Sequence, residues 1–384
     1  MKIALYHPWI YLKSGLERTI LEIAKRSRHE WVIYTSHFDA QGTYPELKNY
    51  GVREVNRVSV QRSYGAVLGA SWRIASTQLD LSQVQALVVC CDGLGSFITL
   101  RNASRPIVNL CFTPLRAVYD LEYRQRHLGR QGGRRGLALL LEAAYKTIDR
   151  WVWKRYQRII CISQTVKDRS QAGGLLGSQP VDVMYPGIDV QAVQASDRFE
   201  EIFFIPGRIM WTKNIELGIA AFLQFKKVTG SPHRLVIAGM VDAKSQSYLK
   251  TLRDMAGHDQ GVEFHLSPSD AEMRDYYNRC SAMLFTAFNE DLGLTPMEAM
   301  ASGKPVIAVD KGGPQEVVEH QVTGYLVPAD PNSFAVTMEL LVSDPQKMRR
   351  MGAAGLERVQ RFGWDYFVKQ LDDVLDTMGA TAGS

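Results

Sequence analysis

Residues 288–327 read FNEDLGLTPMEAMASGKPVIAVDKGGPQEVVEHQVTGYLV. An apolar run, AMLFT (282–286), ends just before them; a loop with Asn289, Glu290, Asp291 and Gly293 follows, and Thr295-Pro296-Met297-Glu298 opens a helix. The helix start is signalled by Thr295 as N-cap, Pro296 at the first helical position and Glu298 three residues after the cap. The run PVIAV (305–309) reads as the next strand. Strand, loop, helix, strand is a βαβ unit, and such units build parallel sheets. Free backbone N–H groups and the positive dipole end at this helix start suit a diphosphate, and Gly293 lets an anion approach the backbone. Glu298 has two readings. It is the glutamate of a capping box, or a carboxylate that accepts both hydroxyls of a ribose.

Working outward, the same alternation fills the chain. After residue 201 come IFFIPG, a helix at IELGIAAFLQFKK, LVIAG, a helix near YLKTLRDMA, VEFHL and a helix at AEMRDYYNRC. Before residue 191 come KIALYH, the helical GLERTILEIAKR, EWVIYTS, ALVVCC, PIVNLCF and RIICIS. The polar stretch 191–201 separates the two series and reads as a linker. With 384 residues, the chain exceeds what one core supports. The expectation is an α/β protein of two doubly wound, Rossmann-like domains, 1–190 and 202–362, facing across a cleft. Residues 363–384 form a final helix that crosses back to the first domain.

Composition narrows the function. Hydrophobic residues make up 46% and charged residues 22%, ordinary for a globular chain. The five cysteines are odd in number and never spaced Cys-x-x-Cys, so neither a disulfide framework nor a zinc site is suggested, and the compartment reads as reducing. The amino-terminal apolar run is too short for a secretory segment, and no stretch approaches eighteen apolar residues. The expected location is the cytoplasm, peripheral at the inner face of the cell membrane. Net charge is +5, yet residues 116–158 alone hold eleven Lys and Arg against Asp120, Glu122, Glu142 and Asp149, a local +7. Such a patch suits an anionic surface. In that stretch Trp151, Trp153 and Tyr156 stand among the cations, a pattern with two readings: aromatic rings resting at an anionic lipid interface, or, favoured for most of the apolar face because Leu137 to Leu141 suits a core, a helix packed on its own domain with solvated charges.

Two further loops matter. In IPGRIMWTKN (205–214), Gly207 and Arg208 follow a strand and Lys213 precedes a helix. A guanidinium and an ammonium five apart on such a loop can converge on one phosphate, although loop cations taken alone are mostly solvated. In KSGLERT (13–19), Ser14 and Gly15 open the first helix as an ordinary capped turn that would place a second helix terminus at the cleft, opposite the one at Thr295.

Together these segments resemble family 4 of the retaining glycosyltransferases, of the GT-B fold. Glu290-x7-Glu298 within EDLGLTPMEAMASGKPVIA matches that family's signature, and Gly207-Arg208 with Lys213 matches its phosphate-clamp loop. LCFTPLRAVYD (110–120) is similar to a subgroup, the WbaZ-like mannosyltransferases, and the closing FGWDYFVKQL to the family's last helix. The resemblance implies a GDP- or UDP-sugar as donor substrate and a saccharide or lipid-linked acceptor, in polysaccharide, lipopolysaccharide or glycolipid assembly. Arg208 and Lys213 would neutralise the diphosphate, with Gly15 and the amides of Gly293, Leu294 and Thr295 assisting. Glu298 would hold the ribose and Glu290 the donor sugar, and the base would lie against Met240 and the segment with His265 and Ser267. Phe112 and Arg116 fall on the acceptor or sugar side. Where the resembling sequences carry His in CHTP, this chain has Phe112, which removes a partner for the donor's 6-hydroxyl. An inactive nucleotide-sugar-binding partner of another transferase is the alternative reading. No cofactor or metal is implied, since the chain has no Asp-x-Asp and no histidine at ligand spacing from carboxylates, and the set Arg208, Lys213, Glu290 and Glu298 weighs against nucleic acid as the partner.

Overall fold

The computed structural model describes residues 1–61, 63–91, 93–129, 135–190, 193–257 and 259–382. The chain divides into two compact units, Met1–Pro186 with Trp364–Ser384, and Gly187–Gly363.

In the first unit, described strands form a seven-stranded parallel sheet: β1 (Lys2–His7), β2 (Glu30–Thr35), β3 (Arg53–Glu54), β4 (Ala86–Cys91), β5 (Ile107–Cys111), β6 (Arg158–Cys161) and β7 (Val181–Val183). Their order is β3-β2-β1-β4-β5-β6-β7. The helices are α1 (Gly15–Arg26), α2 (Tyr64–Ser76), α3 (Arg116–Tyr119), α4 (Leu121–Gly129), α5 (Arg135–Trp153) and α6 (Gln164–Ala172). Every residue of ALVVCC is buried, as expected of a parallel strand covered on both faces. Right-handed crossovers dictate the layers. The connection from β1 to β2 runs one way along the sheet, while those from β3 to β4, β4 to β5 and β5 to β6 run the other. Helix α1 therefore lies on one face. On the other lie α2, the 3₁₀ segment Leu94–Leu100 and α5. All five cysteines are buried, and none forms a disulfide.

The second unit repeats the plan with β8 (Ile202–Pro206), β9 (Arg234–Gly239), β10 (Val262–Leu266), β11 (Ala282–Phe285), β12 (Val306–Val309) and β13 (Gly324–Val327), ordered β10-β9-β8-β11-β12-β13. Its helices are α7 (Ile215–Thr229), α8 (Gln246–Ala256), α9 (Asp270–Arg279), α10 (Leu294–Ala301), α11 (Pro314–Val317), α12 (Pro331–Val342) and α13 (Pro345–Val359). The core beneath α7 and α12 includes Phe203, Phe222, Phe225, Leu235, Ile307 and Phe334.

The last helix, α14 (Trp364–Ala382), belongs to the first unit through acids that meet the end of α1. Asp372 accepts from the Ser27 hydroxyl at 2.6 Å and from the Arg28 amide at 3.0 Å. Arg26 pairs with Asp365 at 2.7 Å and Arg28 with Asp373 at 2.8 Å.

Three readings of the sequence are corrected. The polar stretch after residue 190 is not a free linker. Residues 191 and 192 lie outside the described residues, but 193–201 belong to the second unit. There the buried Lys304 donates to the carbonyls of Ser196, at 2.9 Å, and Arg198, with its ammonium 3.9 Å from the Phe199 ring. Next, Leu137, Leu139 and Leu140 of α5 face outward, and only Ala138 of that run is buried. Of the three aromatics placed at the interface, Trp153 and Tyr156 are buried, and Trp151 alone is exposed. Finally, α10 starts one residue before Thr295, with Gly293 as its cap.

Candidate active site

In an open parallel sheet, ligands sit beyond the carboxyl ends of the strands, where the strand order reverses and neighbouring loops part. In the second unit this point lies between β8 and β11. The loop after β8 carries Gly207, Arg208 and Lys213, and the loop after β11 carries Glu290 and Gly293.

Backbone bonds stitch these two loops together. The Phe288 amide donates to the Thr212 carbonyl at 2.9 Å, and the Thr286 hydroxyl donates to the Lys213 carbonyl at 2.8 Å. Residues 77 apart in sequence thus meet: Lys213 Nζ lies 2.5 Å from Glu290 Oε2. Both side chains are about a quarter exposed, at 24% and 22%. Glu290 is propped from behind by the loop after β12. There the Gly313 amide donates to the Glu290 carbonyl at 2.8 Å. A Cβ on Gly312 (φ +74°) would lie 2.7 Å from that carbonyl oxygen, and one on Gly313 would lie 2.3 Å from Leu292 Cα. The Gly-Gly pair signalled this close approach in the sequence but was not singled out.

Glu298 is not a capping-box glutamate. With Gly293 as the cap (φ +100°) and no side-chain cap bond, the amides of Leu294 and Thr295 open α10 and Pro296 brings no N–H. Glu298 lies a turn further on, where the Tyr277 hydroxyl donates to its Oε2 at 2.7 Å. Burial and the Glu298 charge push the Tyr277 hydroxyl well above its ordinary pKa, keeping it a donor. Tyr277 is fixed by Phe204 of β8, edge to face with ring centres 5.1 Å apart. This partner was not legible in the sequence, because α9 and α10 meet only in the folded unit.

On the side of β9 and β10, the Ile209 amide donates to Met240 at 2.9 Å and the Ser267 amide to Gly239 at 3.0 Å. A Cβ on Gly239 would sit 1.8 Å from the Gly207 carbonyl oxygen, so only glycine lets the β8 loop cross here. Met240 and Ser267 are exposed, and His265 stands between Glu263 (3.3 Å) and the Tyr276 hydroxyl (3.1 Å). Arg208 is exposed, and among the described residues nothing forms a hydrogen bond or ion pair with its side chain. Gly207, Arg208, Lys213, Met240, Ser267, Glu290 and Gly293 thus lie on loops at the carboxyl edge of one sheet, with His265 at the end of β10.

The remaining site residues fall in the first unit. Gly15 opens α1, whose cap Ser14 accepts from the Leu16 amide and donates to Glu17. Phe112, just past β5, is buried, and its amide donates to Cys91 at 2.9 Å. Arg116 grips Asp120 through Nε (3.0 Å) and an amino nitrogen (2.8 Å). The buried Arg169, which the sequence did not flag, donates to the Thr113 hydroxyl at 2.8 Å and lies 3.6 Å from Asp120. Burial would raise the Asp120 carboxyl, but Arg116, the Tyr123 amide and Arg169 hold it below its ordinary value.

Among the described residues no group of three or more His, Cys, Asp and Glu is arranged to hold a metal. A sheet edge that gathers two cations, two carboxylates and a helix start with no side-chain cap bond is suited to an anionic sugar donor, and the comparisons agree. The family model described as glycosyl transferases group 1 matches residues 190–358. The human alpha-1,3/1,6-mannosyltransferase ALG2 is 30% identical, covering 93% of this chain and 92% of its own length; the mouse protein is 26% identical over the same shares. Among solved structures, Anabaena Alr3699/HepE in complex with UDP and glucose matches 98% of this chain and all of its own, with a TM-score of 0.75 and 20% identity. Sucrose-phosphate synthase from Thermosynechococcus elongatus matches 99% of this chain and all of its own, with a TM-score of 0.76 and 17% identity. Those two likenesses speak to the fold, and the likeness to the human enzyme over nearly both full lengths speaks to descent: the chain belongs to the group 1 glycosyl transferases, retaining enzymes of the GT-B fold that use nucleotide sugars in glycan assembly.

Proposed function

We propose that the chain transfers a sugar from a GDP- or UDP-linked donor to a saccharide or lipid-linked acceptor at the cytoplasmic face of a membrane. The WbaZ-like subgroup and the mannosyltransferase names of the relatives make a mannosyl donor the first to test. The observation that carries the reading is the meeting of Lys213 and Glu290 at the switch point of the second sheet. An ion pair with both partners this exposed contributes only about 0–1 kcal/mol, so a diphosphate can compete for the ammonium.

Glycosyl transfer develops negative charge on the departing diphosphate and positive charge at the anomeric carbon. Arg208, Lys213 and the amides that open α10 stabilise the first. Glu290 faces the second. Glu298, held by Tyr277, takes the ribose hydroxyls. The base lies against Met240 and the segment from His265 to Ser267. The leaving phosphate helps deprotonate the acceptor on the same face, so no carboxylate nucleophile is required and the anomeric configuration is retained. The cations replace a metal.

The test is a thermal-shift panel of nucleotides and nucleotide sugars, followed by transfer assays with the donors that stabilise the protein. Stabilisation by a nucleoside diphosphate that is abolished in Lys213→Ala supports the reading. No stabilisation by any nucleotide or nucleotide sugar in the panel overturns it.

A further inference from the structure

The sequence stretch with a local charge of +7 has a three-dimensional arrangement that its composition does not convey. Three of its four carboxylates are withdrawn from solvent. The side chains of Asp120 and Glu142 are 0% and 9% exposed and are held in ion pairs by Arg116, Arg124 and Lys146, and Asp149 is 1% exposed on the inner side of α5. Glu122 alone stays exposed. These pairs occupy Arg116, Arg124 and Lys146, and Arg130 and Arg134 lie outside the described residues, while Arg150 and Lys154 are open to solvent.

The apolar residues of α5 do the reverse. Leu137, Leu140, Ala144, Ile148 and Trp151 recur every three or four residues, forming one stripe along the helix, and every one is exposed; Leu140 is 67% and Trp151 53% exposed. A guanidinium, that of Arg155, lies 4.5 Å from the Trp151 ring centre. Helix α2 adds Leu68 and Trp72, four residues apart and 55% and 75% exposed. Both helices belong to one layer, because the right-handed crossovers put them on the same face of the sheet with the segment Leu94–Leu100 between them. That segment is tied to α5 by the Phe97 and Tyr145 rings (5.8 Å) and by Arg155 donating to Thr99 at 3.2 Å. On the side of α2, Asn102 donates to the Thr77 carbonyl at 2.8 Å.

We infer that the outer surface of α2 and α5 is a docking face for an anionic lipid bilayer, with the α5 stripe and Trp72 set among the headgroups and Arg150 and Lys154, at the end of α5, on lipid phosphates. This rests on the reading of the chain as a transferase working beside a membrane, and names the surface that meets it. Among the described residues no helix is long and apolar enough to cross a bilayer, so α5 lies in the plane of the interface. A second copy of the chain is the poorer occupant. A two-fold contact would set the same cations against each other with no exposed acids on α5 to answer them.

The test uses the full chain in co-sedimentation with phosphatidylcholine vesicles, with and without phosphatidylglycerol. Binding is expected with phosphatidylglycerol, released by salt, and weaker by about tenfold or more without it. The Trp72→Glu/Trp151→Glu double variant should bind at least about tenfold more weakly. Brominated lipid should quench the tryptophan fluorescence of the wild type, and quench Trp151→Phe less. Nucleotide-induced thermal shift in the double variant separates the two readings. If the shift is retained while vesicle binding is lost, the docking face is supported and the donor site is intact; if the shift is lost too, Leu140→Gln replaces the double variant and must show the same separation. Undiminished vesicle binding by the variants, no binding by the wild type, or a stable dimer whose contact these substitutions break would each overturn the inference.

Discussion

Lys213 and Glu290 stand 2.5 Å apart on two loops of the second unit that are stitched by the Phe288–Thr212 and Thr286–Lys213 bonds. Because those bonds are made by Lys213's backbone and its neighbours, the side chain can change without undoing the loop. Lys213→Ala should lower transfer by roughly ten- to a thousand-fold, the usual effect of removing a charge-stabilising group, and Arg208→Ala should fall in the same range. Melting temperature should hardly change, since a solvent-accessible pair contributes about 1 kcal/mol or less. Wild-type kcat/KM in a soluble Lys213→Ala protein would remove this residue from the mechanism.

The Tyr277 hydroxyl gives Glu298 its orientation. Tyr277→Phe keeps the ring against Phe204 and removes only the donor. A hydrogen bond to a charged group contributes about 1.5–3 kcal/mol, so nucleoside diphosphate affinity should weaken by about tenfold or more while the fold persists. Calorimetric titration with nucleoside diphosphate measures this directly. Unchanged affinity would separate Glu298 from ribose binding.

The proposed neutralisation of the leaving group by Arg208, Lys213 and the start of α10 predicts that transfer survives EDTA. Complete loss of turnover on chelation, restored by magnesium or manganese, would contradict it.

Burial pushes the Asp149 carboxyl up to about 7, against the pull of Tyr119, Trp153 and Tyr145. The sign follows from proton counting. From the ordinary value of 3.8 up to about 7, the unfolded chain has released a proton that the folded chain keeps. This residue's contribution to stability is therefore complete below that ordinary value and falls as pH rises, by at most about 1.4 kcal/mol per unit, until it is lost above about 7. Denaturant titrations of the wild type and Asp149→Asn at several pH values should show this slope in the first and not in the second. Parallel curves would mean that the carboxyl titrates normally.

Phe112 is buried at the carboxyl edge of the first sheet. The resemblance assigns residue 112 to the donor's 6-hydroxyl; a phenyl ring there would offer no hydrogen bond, and leaving such a group desolvated costs about 1–3 kcal/mol. Donors with a missing or altered 6-hydroxyl are expected to be preferred in matched pairs, GDP-rhamnose or GDP-fucose over GDP-mannose and UDP-xylose over UDP-glucose. Phe112→His should shift that ranking toward the full hexose. Preference for the full hexose in every pair, unmoved by the substitution, sinks the idea.

What the sequence determined by itself is whatever depends on near neighbours along the chain. Alternating apolar runs and amphipathic helices specify two parallel sheets, because periodicity is a local property. Residues 205–214 and 288–298 are short enough that their loops, glycines and charges are readable in place. The helices α12 and α13 had equally local signals in Asp330-Pro331 and Asp344-Pro345, whose aspartates do cap them. What only the tertiary structure decided depends on elements distant in sequence. The pairing of Lys213 with Glu290, the support of Glu298 by Tyr277 and the packing of 193–201 under Lys304 all cross between loops or helices that no local pattern connects. The surface of α5 is the clearest case. An apolar stripe reads the same in sequence whether it is buried or exposed, and only the position of α5 in the layer beside Leu94–Leu100 turned Asp149 inward and left Leu140 and Trp151 facing solvent.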